Sequence, residues 1–418
     1  MLRSADRLHY AWVVLAVITL VVFGALGLAR FGYSMVLPSM QTRLNLTNAQ
    51  TGMLATANLV GYVALSAVGG ALAGRLGARS VASAGLLVAG AGMLLTGLTV
   101  GFPDAAAWRF LTGIGSGAGN VSVMGLLSAW FAARRRGLAA GIAVSGSSLG
   151  LICLGPLVPR VLSAYGEAGW RVCWFIFGGT TFLLAIASFA LLRNRPSELG
   201  LDRIGALPGG EHPGPGSGGL SWRDVYLSGA VWHLGLVYTA FGFSYIIYMT
   251  YFVKRLVDEG GYARGDAGSL FMMVGWFSLV CGLIWGGVSD RIGRKAALII
   301  VYMIHSVAFG LFALCPVPAG FTISAILFGL SAWSIPAIMA AACGDILGPR
   351  LAPAALGFIT VFFGIGQAAG PSVAGVMADA AGSFSPAFSL AAVVALLGAL
   401  GSASLRPAAA GSGDPFAP

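Results

Sequence analysis

Twelve apolar runs, each long enough to cross a lipid bilayer, take up most of the chain. A membrane-spanning helix needs about 20 predominantly apolar residues, and inside a bilayer only helices and closed barrels satisfy every backbone hydrogen bond. The runs lie at 11–37, 48–73, 78–100, 104–131, 137–163, 168–192, 229–254, 267–288, 294–315, 317–342, 352–378 and 384–405. The sequence therefore predicts an all-α membrane protein with twelve transmembrane helices.

The charge content agrees with a lipid-facing surface. Charged residues make up 9% of the chain, whereas a soluble domain carries about 25%. The net charge of +10 comes mainly from residues in short loops between the runs, without a basic face interleaved with aromatics, so nucleic-acid binding is not expected. The five cysteines lie inside apolar runs without metal-ligand spacing, and we expect neither disulfides nor a metal or other cofactor.

Two loops repeat nearly the same sequence, one in each half of the chain. GALAGRLGAR occupies 70–79 and GGVSDRIGRK occupies 286–295, each between the second and third runs of its half. Such a repeat indicates a duplicated architecture. We expect six-helix bundles at 1–192 and 229–406, a cytoplasmic linker at 193–228 that is rich in glycine and proline, and a disordered tail at 407–418.

The basic residues also predict an orientation. If the N-terminus is cytoplasmic, the cytoplasmic segments carry 16 arginines and lysines and the external segments carry six. Because positive residues favour the cytoplasmic side, both termini are expected there.

Several motifs resemble those of the major facilitator superfamily, over essentially the whole chain. The loop at 286–295 matches the superfamily's inner-loop signature, RFLTGIG at 109–115 is similar to its arginine–glycine motif, and the pairs at 155–156 and 370–371 are similar to its glycine–proline kink. HYAWVV at 9–14, WFAARRRGLAAG at 130–141 and RPSELG at 195–200 look like the monocarboxylate and oxalate–formate branch. GLARFGYSMVLP at 27–38 resembles a group of bacterial relatives.

This resemblance implies two six-helix bundles around a central cavity, alternating between inward-open and outward-open states. Helices 1, 4, 7 and 10 would line the cavity. It also implies a monomeric, multi-pass protein of the bacterial inner membrane.

The repeated loops are candidates for an ion-pair cluster that closes in one state. Asp290 can cap a neighbouring helix while Arg291 and Arg294 hold a partner. In the first half, Gly74 stands where the superfamily has aspartate, so its cluster would be weaker or built differently. The alternative for the basic residues, which include Arg75 and Arg79, is that they only set topology.

Arg30 is the leading candidate for substrate binding. It lies well inside the first run, where a charge is expensive and marks a functional site by default, and no Asp or Glu falls deep inside any run. Its planar guanidinium suits a carboxylate, so we expect it to bind an anionic substrate. A helix-end arginine bonded to backbone carbonyls is the alternative.

Further candidates come from polar residues in the runs, each with a structural alternative. Each of these residues either contacts the ligand or makes an interhelical hydrogen bond or packing contact. The set comprises Tyr33, one turn from Arg30, together with Asn58, Asn120, Gln367 and the Tyr245, Tyr248 and Tyr251 stripe. Arg109 is expected to have a structural or coupling role from its motif, and His305 is either a proton carrier or a buried, hydrogen-bonded residue.

The sequence thus favours a secondary transporter of small organic anions, mono- or dicarboxylates, working by proton symport or anion exchange. An efflux pump for lipophilic or cationic drugs is the alternative, although such a site usually has a membrane carboxylate. A non-transporting sensor is less favoured, because the sequence shows no sizeable soluble domain that could pass on a signal. Neither a catalytic constellation nor a phosphate-binding GxxxxGK[ST] motif occurs, so we do not expect an enzyme.

Overall fold

The computed structural model describes residues 9–205 and 222–405, and nearly all of them are helical. Twelve long helices can be followed through these residues. They are α1 (Tyr10–Leu44), α2 (Asn48–Leu76), α3 (Ala78–Gly97), α4 (Phe102–Trp130), α5 (Ala133–Tyr165), α6 (Gly169–Leu191), α7 (Gly229–Asp258), α8 (Arg264–Ile292), α9 (Arg294–Leu314), α10 (Pro318–Gly348), α11 (Ala354–Ala381) and α12 (Ser385–Ala403).

Ten segments of the described chain are long and apolar enough to span a membrane, or eleven when the bent helix α2 is included. The two pieces of α2, Asn48–Ser66 and Val68–Leu76, meet at 47°. One of the ten, Arg134–Leu191, is 58 residues long and reverses at Gly166, where φ is 51°, so it supplies both α5 and α6. The prediction of twelve spans is confirmed.

Several helices run past the ends of their apolar runs. The first run was expected to stop at residue 37, but α1 includes Pro38 and continues to Leu44. Likewise α10 reaches Gly348 rather than residue 342. Hydropathy detects only the lipid-facing length, whereas a helix continues into the polar interface until a residue leaves helical geometry, as Asn45 does with φ of 50°. The expected disordered tail and the middle of the linker lie outside the described residues.

The helices form two six-helix bundles, and glycines set how closely they pack. A Cβ atom at Gly113 of α4 would lie 2.0 Å from the carbonyl oxygen of Asn58 in α2. Small residues of this kind let membrane helices approach closely. The repeated loops are also equivalent in shape, because Gly77 and Gly293 both adopt positive φ, 86° and 87°.

The two bundles meet at one membrane face and are apart at the other. We call the face where α1 begins and α12 ends the terminal face, and the other the opposite face. Towards the opposite face, the Thr56 hydroxyl of α2 donates to the Ala368 carbonyl of α11 at 2.7 Å, and a Cβ at Gly52 would meet the Pro371 carbonyl oxygen at 2.2 Å.

Nearer the terminal face, the same helical faces have no partner among the described residues. Gly70 and Gly74 continue the α2 face that carries Gly52 and Thr56, yet a Cβ at either would have open space around it. Gly282 and Gly286, on the α8 face that packs on α5, are equally open. The central cavity is therefore closed at the opposite face and open at the terminal face.

Candidate functional site

The middle of α1 is a π-helix, Phe23–Phe31, and Arg30 lies in its last turn. A π-helical turn is wider than an α-helical turn, and such turns occur often at functional sites. Here Gly27 lies against Gly150 of α5, where a Cβ would come within 2.8 Å of the Gly150 Cα. The wide turn places the Arg30 side chain between the two bundles.

Arg30 contacts both bundles in the middle of the membrane. Its guanidinium carbon lies 4.4 Å from the ring centroid of Tyr62 in α2, a cation–π geometry. Its Nη1 donates to the hydroxyl of Tyr245 in α7 at 3.3 Å. Its Nη2 is buried without a hydrogen-bond partner among the described residues.

Tyr245 connects Arg30 to Gln367 of α11. The Gln367 amide is hydrogen bonded to the Tyr245 hydroxyl, and both side chains are buried. The Gln367 Oε1 has no partner in the described part of the chain. Arg30, Tyr245 and Gln367 thus form one polar group between the bundles.

Aromatic rings surround this polar group. The Phe363 ring lies parallel to Tyr245 at 5.9 Å, and Trp333 of α10 is edge-on to Tyr245 at 6.2 Å. The helical pattern of α10 is interrupted at 330–333, and the Trp333 indole donates to the Ser148 hydroxyl of α5 at 3.1 Å. We define the central site as Arg30, Tyr62, Tyr245, Trp333 and Gln367.

The other sequence candidates fall into different surroundings. Asn120 reaches the central site through its 2.8 Å hydrogen bond to the Tyr62 hydroxyl. Asn58 instead donates to the Arg109 carbonyl and joins α2 to α4. Tyr248 is enclosed by phenylalanines and shares a hydrogen bond with Ser324, away from Arg30.

The expectation that Tyr33 shares a face with Arg30 is wrong. The Tyr33 hydroxyl donates to the Thr51 carbonyl at 2.7 Å, and its ring lies 4.8 Å from the Arg109 guanidinium carbon. The expected alignment assumed α-helical spacing, whereas the π-helical turn around Arg30 rotates the two side chains apart.

Arg109 supports the wide turn of α1. It is 1% exposed, its Nη1 donates to the Ala29 carbonyl at 2.8 Å, and the Tyr33 and Trp174 rings lie at 4.8 and 5.1 Å. A carbonyl and two ring faces stabilise its charge. Arg109 therefore contacts the backbone directly before Arg30 but not the central site itself.

His305 is fully buried in α9. Phe241 stacks on it at 5.8 Å, and Phe309 and Phe328 pack around it. Phe241 also stacks on Tyr245 and so lies between His305 and the central site.

The ion pairs of the second repeated loop stay within the second bundle. Arg294 pairs with Asp290 and, at 3.0 Å, with Asp345. Arg291 and Arg75 are exposed, while Arg79 donates from its Nε to the Phe189 carbonyl at 2.6 Å and ties α3 to α6. The predicted role of Asp290 in an ion-pair cluster that closes in one state stays a prediction, because its pair with Arg294 lies within one bundle.

Asp379, which the sequence analysis did not single out, makes a charged contact between the bundles at the opposite face. Its carboxylate accepts the backbone N–H groups of Asn48 and Ala49 at 2.9 and 2.8 Å. It therefore caps the first turn of α2 from the end of α11, at the opposite face. A carboxylate is favourable there because the helix N-terminus carries partial positive charge.

Two residues of the central site, Tyr62 and Trp333, were also not among the candidates from the sequence. Pro336 could have indicated Trp333, because a proline inside an apolar run predicts a broken helix and breaks often line sites. Tyr62 lies one turn after Asn58 and carried no such signal.

Comparisons with known proteins cover nearly the entire chain. The family described as "Uncharacterised MFS-type transporter YbfB" matches residues 22–402. The "Hexuronate transporter" of Bacillus subtilis is 25% identical over 390 residues, 89% of each chain. The "Probable sulfoacetate transporter SauU" of Cupriavidus necator is 25% identical over 431 residues, 96% of this chain and 95% of its own.

Solved structures share the fold. A bacterial homolog of the human lysosomal transporter Spinster superposes with a TM-score of 0.73 at 16% identity, covering 98% of this chain and all of its own.

Proposed function

The chain belongs to the major facilitator superfamily, and from that membership we propose that it carries a small organic anion across the membrane by alternating access. Family members of this kind are transporters, and the two relatives above are named for hexuronate and sulfoacetate. Both named compounds are organic anions, which supports an anionic substrate for this chain.

The observation that carries the proposal is a surplus of hydrogen-bond donors at the central site. Arg30 Nη2 is a donor that has no hydrogen-bond partner within 9–205 and 222–405. With Gln367 donating to Tyr245, the Tyr245 proton has no acceptor among the described residues. If the amide is turned over, the Tyr245 hydroxyl donates to the Gln367 Oε1 and the amide N–H becomes free.

In either orientation two adjacent donors remain, and one of them is cationic. A carboxylate accepts through two oxygens and pairs bidentately with guanidinium. The site therefore favours a carboxylate or similar oxyanion over a cation. Cationic drug efflux, the alternative from the sequence, has no supporting feature at this site.

The positions of the contributing helices support alternating access. Arg30 and Tyr62 come from the first bundle, and Tyr245, Trp333 and Gln367 come from the second. An anion that bridges them favours approach of the bundles around it. Taking the terminal face as cytoplasmic, on the distribution of basic residues, this state is inward-open.

The test is uptake by purified protein in liposomes that are preloaded with candidate anions. Labelled hexuronate, sulfoacetate, lactate and oxalate are offered outside, with wild type, Arg30→Gln and the control Arg43→Gln. Arg43 lies on the same helix but at the exposed end, paired with Glu167. Loss of a charge-assisted bidentate contact of about 3 kcal/mol lowers affinity about 100-fold.

We expect at least one anion to be transported, with Arg30→Gln inactive and Arg43→Gln active. Full activity of Arg30→Gln on the transported anion would refute the assigned role of Arg30. Transport of cationic dyes without any anion transport would favour the efflux alternative.

A further inference from the structure

We propose that the anion carried by this protein has a single carboxylate on a flat, aromatic body, and that Trp333 selects for that body. The inference rests on the proposed anion transport and specifies the substrate class of the same central site. It follows from the number of positive charges that a ligand can reach there and from the chemistry of the surrounding side chains.

Among the described residues, one positive charge is within reach of a ligand at the central site. Arg30 is half-buried, and its Nη2 has no partner in this part of the chain. Arg109 is 1% exposed, donates to the Ala29 carbonyl and lies against the rings of Tyr33 and Trp174. The other arginines and lysines of the spanning helices lie within five residues of a helix end. A second carboxylate on the ligand would be buried without a counter-charge, which is strongly unfavourable.

Aromatic rings make up most of the remaining wall of the site. Phe31 follows the arginine directly in α1, and its ring lies 5.7 Å from that of Trp333. Phe31 and Tyr245 are buried, whereas Tyr62, Trp333 and Phe363 are half-buried and leave part of their surface for a ligand. Aromatic rings in offset or edge-to-face contact attract each other beyond the effect of buried area alone. A flat ring attached to the carboxylate would make such contacts.

A hydrogen bond to the first bundle holds the Trp333 ring in place. The indole N–H donates to the Ser148 hydroxyl of α5 at 3.1 Å, and Ser148 also accepts a hydrogen bond from Ser278 of α8 at 2.7 Å. Because its N–H is already bonded, Trp333 presents a ligand with an apolar ring surface rather than with a donor. A ring that is already held loses little conformational freedom when a ligand packs on it.

The same site has few groups that could bind the hydroxyl groups of a ligand. The Asn120 amide donates to the Tyr62 hydroxyl, and the Gln367 amide is bonded to the Tyr245 hydroxyl. A sugar acid would bury several hydroxyl groups with few partners, and each unpaired group is unfavourable. The site therefore suits an apolar body better than a polyhydroxylated body.

The experiment measures the Kd of five compounds for the full-length protein by isothermal titration calorimetry. Benzoate has both proposed features, and each of the other compounds changes one of them. Cyclohexanecarboxylate is not flat, terephthalate adds a second carboxylate, glucuronate replaces the apolar ring with a hydroxylated ring, and benzamide removes the charge. We expect benzoate to bind at least about tenfold more tightly than each of the others, a ratio equivalent to about 1.4 kcal/mol.

The outcomes separate this inference from the proposed function. Binding of cyclohexanecarboxylate, terephthalate or glucuronate as tight as that of benzoate would overturn the inference and leave anion transport standing. Transport of lactate or oxalate by a protein that does not bind benzoate would have the same meaning. Equal binding of benzamide, or failure of every anion to bind, would instead remove the proposed function.

A variant of Trp333 tests its part in selection. Trp333→Leu keeps an apolar residue but removes the flat ring, so the Kd of benzoate should rise about tenfold and that of cyclohexanecarboxylate should change less. Trp333→Phe restores a flat ring and should restore the preference for benzoate. Trp232→Leu is the matched control, because Trp232 is 46% exposed and packs on Phe358 and Phe362.

The ratio of the two Kd values is the readout, since a general loss of stability would not change it. The same ratio in wild type and folded Trp333→Leu, or an equal fall in Trp232→Leu, would refute the role of Trp333. If Trp333→Leu does not fold, Phe363→Leu removes the neighbouring ring and should lower the preference in the same way. An unchanged preference in that variant would overturn the aromatic wall.

Discussion

Removing the carboxylate of Asp379 should shift the protein away from the state described here. Asp379 accepts two backbone N–H groups from the first turn of α2 and belongs to the other bundle. Loss of an N-terminal cap costs about 1 kcal/mol, and loss of a negative charge at a helix N-terminus costs about 0.3–1 kcal/mol more. The helix keeps its own cap from Thr47.

For Asp379→Ala, the sum is about 1–2 kcal/mol, a factor of about 5–30 in the ratio of the two states. Asp379→Asn keeps an acceptor and should give a smaller shift. Because the contact exists only when the opposite face is closed, the whole effect falls on the balance between states rather than on the stability of one bundle.

The assay is electron paramagnetic resonance with spin labels at Thr42 and Arg264, which are exposed at the opposite face on different bundles. Asp379→Ala should enlarge the long-distance population. Asp258→Ala is the matched control, since Asp258 lies at the same face but pairs with Lys254 of its own helix. Equal distance distributions for wild type and Asp379→Ala, or the same shift in both variants, would refute the reasoning.

Three other substitutions test the contact at the opposite face and distinguish residues that bind the anion from residues that only pack. Gly52→Val should prevent closure of the opposite face, because its Cβ would meet a backbone carbonyl at 2.2 Å; cysteine labelling at Ser372 should then become faster, and unchanged labelling would contradict the assigned contact. Tyr245→Phe removes the hydroxyl between Arg30 and Gln367 and should raise the Kd of the transported anion about tenfold, measured by thermal shift titration. Tyr248→Phe loses only its bond to Ser324, so the Kd should stay the same while the melting temperature falls; a weaker Kd there would place Tyr248 at the site.

The number of helices and the position of Arg30 could be predicted because both depend on local sequence. Apolar length fixes the spans, and an arginine inside a run is conspicuous against its surroundings. The direction of the Arg30 side chain relative to Tyr33 could not be predicted in the same way. It depends on the π-helical turn. This turn occurs together with the Ala29–Arg109 hydrogen bond and the Gly27–Gly150 contact, and Arg109 and Gly150 are distant from α1 in sequence.

Some residues of the central site could be predicted from the sequence and others could not. Gln367 and Tyr245 were candidates because polar groups in apolar runs are easily recognised. Tyr62 and Trp333 are aromatic, and aromatic residues in a membrane helix usually pack against lipid or other helices. Their role arises only where Arg30 and Tyr245 approach them across the two bundles.

Asp379 can be compared with Gly74 of the first repeated loop. Gly74 lies two residues before the end of α2, and Asp379 lies two residues before the end of α11, on helices that pack against each other. At the opposite face the end of α11 caps the start of α2, whereas at the terminal face the equivalent position on α2 has no side chain to cap α11. Between the described residues of these two helices, the charged contact therefore lies at the opposite face, which favours the state that is closed there.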